Sequence, residues 1–152
     1  RIWNMQEAER QKVLEEKMAK LDKERVKLNY SDDNFTIRIP TKLSEIVNEG
    51  ADLRHCVGGY TRNHADGRTT ILFLRKNEEP DKSFYTIELS AGNHIVQIHG
   101  FGNKWLGNDP EAIPTVMRWL RANNLSCSDT ILLSTAKGYC NGNAPLVVKP
   151  II

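Results

Sequence analysis

Cysteine is scarce in this chain of 152 residues: there are three, at Cys56, Cys127 and Cys140. An odd number at wide spacing builds no disulfide scaffold and fits a reducing cytoplasm. No Cys-x-x-Cys and no His-x-x-x-His pair occurs, which removes the usual structural zinc patterns; neither a metal nor a cofactor is expected. No apolar stretch approaches the ~20 residues that a membrane-spanning helix needs. An excess of one charge is lacking too, since 21 Lys and Arg against 19 Asp and Glu leave a net +2. That is too little for a long-range field drawing in nucleic acid. A local basic patch from Arg54, Arg62, Arg68, Arg75 and Lys76 is still possible; the alternative is that these are ordinary solvated charges. Internal repeats and low-complexity tracts are also missing.

What is present describes one soluble globular domain, with 39% hydrophobic and 26% charged residues. The chain begins with Arg1 rather than Met, so it is expected to be a piece of a longer protein, with any targeting signal on the missing part. Residues 1–30 are expected to form a helix connecting to that part, and 31–152 an α+β domain. The connector is rich in Glu, Lys, Gln and Ala, which favour helix. Val13, Leu14, Met18 and Leu21, extended by Val26 and Leu28, give a narrow apolar stripe. That stripe suits packing on the upstream region or on a partner.

Strands are expected near 35–39, 69–75, 83–90 and 94–99. Phe35 to Ile39 alternates and ends at Pro40. Thr69 to Arg75 is a continuous apolar run, as in a buried strand. Thr41 is a plausible N-cap for a helix with Leu43, Ile46 and Val47 on one face, stopping at Gly50. A second helix is expected from near Leu53 to about His64. Gly58-Gly59 inside it points to close approach of another backbone or a ligand. A further helix opens at Asp109-Pro110 or at Pro114, carries Val116, Met117, Trp119 and Leu120, and ends at Asn123-Asn124; Trp119 reads as core. Past Leu125 no element is legible.

The last two strands form a hairpin around Ala91-Gly92-Asn93, read as a type II′ turn on Gly92-Asn93. This register sets Thr86 opposite His99, Ile87 opposite Ile98, Glu88 opposite Gln97 and Leu89 opposite Val96. One face is then apolar, with Tyr85, Ile87, Leu89, Val96 and Ile98. The other collects Thr86, Glu88, Gln97 and His99. It is either a solvated sheet face or a polar pocket in which Glu88 acts as base, Gln97 donates an amide N–H and His99 carries a proton. Cys56, beside His55 at a helix start, is either a small buried hydrophobe or a nucleophile whose thiolate the helix favours.

From Ile39-Pro40 to Asn103 the chain resembles the PcfJ-like family of conjugative plasmids and phages. The matching residues are Asn48-Glu49-Gly50, Leu53-Arg54-His55-Cys56-Val57-Gly58-Gly59-Tyr60, Gly67, Ile71-Leu72-Phe73-Leu74-Arg75, Pro80, Thr86-Ile87-Glu88, Gln97, Gly100 and Asn103. The resemblance implies an accessory protein of a mobile element, acting in the cytoplasm of a bacterial host. It favours a site of His55, Cys56, Tyr60, Glu88, Gln97 and Asn103, joined by Arg75 and Thr86, and gives His99 less weight. Three functions then compete. The first is a module binding nucleic acid or a machinery protein, with Tyr60, Phe101 and Trp105 as stacking surfaces. The second is a hydrolase or transferase using Cys56 with His99 or His55 and Glu88 or Gln97. The third is a polar network that only fixes the fold.

Overall fold

The computed structural model describes residues 2–135; Cys140 and the rest of the tail lie outside the described residues. The fold is α+β. Its centre is one sheet in which every neighbouring pair is antiparallel, ordered β1 (Tyr30–Ser31), β2 (Phe35–Arg38), β3 (Thr69–Lys76), β4 (Tyr85–Ser90) and β5 (Ile95–His99). The middle strand β3 is buried on both faces, which is why it reads as an unbroken apolar run. Leu72 and Leu74 join one core with Phe35, Ile37, Tyr85, Ile87 and Ile98, against Val116, Trp119 and Leu120 of helix α4 (Ile113–Ala122). Ile71 and Phe73 join a second core with Met18, Leu43, Ile46, Val57 and Ala65. Helices therefore cover both faces of the sheet.

The second layer is built from α1 (Ile2–Arg25), α2 (Leu43–Leu53), a 3-10 turn at Cys56–Tyr60 and α3 (Thr61–Asp66). Helix α1 docks through its C-terminal half. Met18 is buried, Lys17 pairs with Asp66 at 3.2 Å, and Arg25 donates to the carbonyls of His64 (2.6 Å) and Thr69 (2.9 Å). Of the expected stripe, Leu14, Met18 and Leu21 meet the body at helical spacing, whereas Val13 and Val26 face outward.

Three local readings change. Helix α2 runs through Gly50 and ends at Arg54, which adopts a left-handed conformation (φ 53°) and lets His55 N–H reach the Gly50 carbonyl at 3.2 Å. Thr41 is not its N-cap. Instead the Glu45 carboxylate reaches back, accepting from the Thr41 N–H (2.6 Å) and hydroxyl (2.8 Å) and from Arg38 (2.9 Å). The expected Leu53–His64 helix is broken by Arg54 into the 3-10 turn and α3. The close approach read from Gly58-Gly59 is found at Gly58, with Gly50 on its other side, and not at Gly59, whose added Cβ would have nothing within 4 Å. A Cβ on Gly50 would lie 2.8 Å from the backbone nitrogen of Gly58.

The hairpin loop has three residues, not two. Asn93 N–H bonds the Ser90 carbonyl (3.1 Å), Ser90 N–H bonds the His94 carbonyl (2.8 Å), and Asn93 takes the left-handed conformation at φ 62°. Gly92 has no positive φ, which a type II′ turn would require of it. The pairs Thr86–His99, Ile87–Ile98 and Glu88–Gln97 stand as expected, but a bulge follows and Leu89 pairs with Ile95. Ile95 is thus fully buried and Val96 is 46% exposed, the reverse of the expected assignment. Strand β1 and helix α5 (Asp129–Leu133) were not legible beforehand; Ser128 caps α5 by accepting from Ile131 N–H at 3.3 Å.

Candidate functional site

The break at Arg54 turns the chain so that His55 becomes the N-cap of the 3-10 turn, its Nδ1 accepting from Val57 N–H at 3.4 Å. Its other nitrogen, Nε2, lies 2.9 Å from the Thr86 hydroxyl on β4. With Nδ1 accepting, Nε2 carries the proton and donates to Thr86. Thr86 in turn donates to Glu49 Oε2 at 2.8 Å. Glu49 sits on the buried face of α2 and is only 1% exposed. Arg75, 6% exposed, clamps it from β3 with Nη1–Oε2 at 3.1 Å and Nη2–Oε1 at 2.5 Å, and Ser83 donates to Oε1 at 2.8 Å. The Arg75 guanidinium also stacks over the Phe73 ring at 4.6 Å. One line of hydrogen bonds thus joins the His-Cys turn, α2, β3 and β4.

Charge inside this network is balanced by contact. The buried Glu49 carboxylate is met edge on by the Arg75 guanidinium, two charges facing each other in one bidentate pair. Burial pushes His55 below its ordinary range, more strongly than Glu49 pulls it up. His99 stands across from Thr86 on β5 and is pushed down to about 4, by burial first and by neighbouring His55 second, against a hydrogen bond with Asn103. Its ring packs edge-on against Trp105 at 5.1 Å. Both histidines are neutral at pH 7. Asn103 is left-handed (φ 64°), in a 3-10 turn at Phe101–Asn103.

The remaining candidates divide into two places. Glu88 and Gln97 pair as read, Gln97 Nε2 donating to Oε1 at 2.9 Å, while Thr69 donates to Oε2 at 3.1 Å. This pair ties β3, β4 and β5 together and belongs to a separate cluster from the Glu49 network. Cys56 is exposed on the first residue of the 3-10 turn. Tyr60 packs on the second core. Of the expected basic patch, Arg75 is withdrawn by its ion pair with Glu49, and Lys76 lies over the Phe84 ring at 4.9 Å. Among the described residues no group of three or more His, Cys, Asp or Glu could hold a metal ion. No described helix is long and apolar enough to cross a membrane.

Glu49 and Ser83 were missed as site residues. A signal for Glu49 existed: Leu43, Ile46, Gly50 and Leu53 define the buried face of α2, and Glu49 lies on it. A charge there, and another at the end of the apolar run of β3, call for each other. Ser83 had no signal, because its place depends on the path of the β3–β4 loop.

An antiparallel five-stranded meander with helices on both faces, carrying an internal Glu–Arg–Thr–His network under an exposed Cys turn, defines the class of this domain. The chain belongs to the PcfJ-like protein family, which matches it over residues 4–113. A relative from Listeria innocua, the uncharacterized protein Lin1253/Lin1744, is 39% identical over 93 residues. That stretch is 59% of this chain and 20% of the relative, so the chain spans about a fifth of that protein's length. No solved structure matches the chain.

Proposed function

We propose that this domain is a binding module of a mobile-element accessory protein, working in the bacterial cytoplasm and docking a protein of the same machinery. Helix α1 connects it to the remainder of the longer chain. The observation carrying this reading is the state of the polar signature. His55 has both ring nitrogens engaged, Glu49 accepts from three side chains, and Glu88 is held by Gln97 and Thr69. A cysteine nucleophile needs a base with a lone pair directed at it. His55 spends that lone pair on Val57 N–H. The network is better suited to fixing the 54–60 turn in place than to moving protons. Beside that turn the surface offers Phe101, 55% exposed, with the Arg54 guanidinium over its ring at 5.7 Å. An exposed aromatic held by arginine is a typical interface anchor.

The test is performed in cells carrying the element that encodes the protein. Phe101→Ser is expected to depress transfer or propagation of the element, and Cys56→Ser to leave it unchanged. Loss of function in a folded Cys56→Ser protein, with Phe101→Ser silent, would restore the cysteine hydrolase or transferase reading.

A further inference from the structure

We propose that residues 144–152 of this chain fold back into the groove beside Phe101 and cover it. The groove lies between the C-terminal end of α2, the β3–β4 loop and the turn at 101–104, with a volume of about 680 Å³. Leu53, Pro80, Phe84 and Phe101 supply its apolar surface, and Phe101 is 55% exposed. Neither sign of charge selects an occupant. Asp52 and Asp81 share the lining with Lys82 and Lys104, and the Arg54 and Lys76 cations lie over the Phe101 and Phe84 rings. What the groove leaves unmatched is its apolar surface, which calls for an apolar occupant. The groove between α1 and α3 holds no aromatic ring, and the one beside the β1–β2 loop holds only Phe35, which is 5% exposed.

Composition singles out the segment. Residues 144–152 read Ala-Pro-Leu-Val-Val-Lys-Pro-Ile-Ile, with Lys149 the one charged side chain. So dense an apolar run is unfavourable in water and seeks cover. Pro145 and Pro150 each remove a backbone donor. That disfavours a helix or an inner strand and suits an extended run of side chains laid into a groove.

Connectivity puts the groove within reach. Ser134 is fully buried, and a Cβ on Gly107 would collide with the carbonyl oxygens of Leu133 and Ser134. The chain therefore leaves α5 against the loop whose earlier residue, Lys104, lines the groove. Lys104 and Gly107 can be no more than roughly 11 Å apart along the backbone, whereas residues 136–143 span up to roughly 26 Å when extended. Gly138, Asn141, Gly142 and Asn143 in that connection favour the turns a reversal needs.

A covered Phe101 gives the domain a closed state. A partner docking there must first displace 144–152, so the segment sets the threshold for docking. That consequence rests on the protein-docking reading above; the seating itself does not.

The experiment places the photo-crosslinker p-benzoylphenylalanine at position 101 of the whole chain and maps the products by mass spectrometry. Irradiation should give a crosslink within one chain, from position 101 to residues 144–152. Leu146→Asp/Val148→Asp, first checked for a native melting transition, should lower its yield by about tenfold or more. A crosslink to a second copy, crosslinks only to other positions, or a yield unchanged by the Asp variant would overturn the seating. If no such crosslink forms while Phe101→Ser still depresses transfer of the element, partner docking stands and the seating falls. If the crosslink forms and Phe101→Ser is silent in cells, the seating stands and partner docking falls.

Discussion

At the scale of single residues the domain depends on groups kept in one protonation state. His64 is fully buried; Ile71 N–H donates to its Nδ1 at 3.0 Å and Arg25 Nη1 stands 3.2 Å from Nε2. With donors on both sides, an added proton has no acceptor. Burial first, and Arg25 second, push His64 down to about 3. His99 is displaced the same way, to about 4. The unfolded chain binds these protons near pH 6.5 and the folded one does not. The stability contributed is therefore complete above pH 6.5 and is lost as pH falls toward 4 and 3. Urea unfolding should show a loss of about 2 kcal/mol between pH 7 and pH 5 from His64 alone. A midpoint unchanged across that interval would contradict the account.

At the scale of elements, the contact between α2 and the 3-10 turn sets the position of His55 and Cys56. Gly50→Ala would normally favour a helix by roughly 1 kcal/mol. Here its Cβ meets the Gly58 backbone nitrogen at 2.8 Å, and a net loss of about 1–3 kcal/mol is expected. Gly59→Ala has nothing within 4 Å and no positive φ, and should be neutral or slightly stabilising. Thermal melting of the two variants separates these outcomes. The elements were legible in proportion to their periodicity. The unbroken β3 run, the Leu43–Ile46 stripe of α2 and the Trp119 face of α4 each span enough residues to show a period. Strand β1, with two residues, and α5, with five, do not. The hairpin register was legible up to Glu88 because its faces alternate cleanly. It failed at Ile95-Val96, where two neighbouring β-branched residues are interchangeable in sequence and a bulge decides which is buried.

At the scale of the whole molecule, the two-sided packing of the sheet was the hidden feature. The polar face of the hairpin, read as solvated or as a pocket, is partly roofed by α2 and the Cys56 turn, and Glu49 accepts from its Thr86 hydroxyl. His55, Thr86 and Arg75, each named from the signature, meet in one hydrogen-bonded network, and the residue that unites them, Glu49, comes from another layer. The central claim is that this signature acts as one connected network from the His55 turn to the sheet. A double-mutant cycle of His55→Ala and Thr86→Val, read by urea unfolding, tests it most directly. Each single change should cost about 1–3 kcal/mol, and the pair should fall short of their sum by about 1 kcal/mol, because one hydrogen bond at 2.9 Å is shared. Strict additivity, within about 0.5 kcal/mol, would mean that the turn and the sheet are independent and would contradict the account.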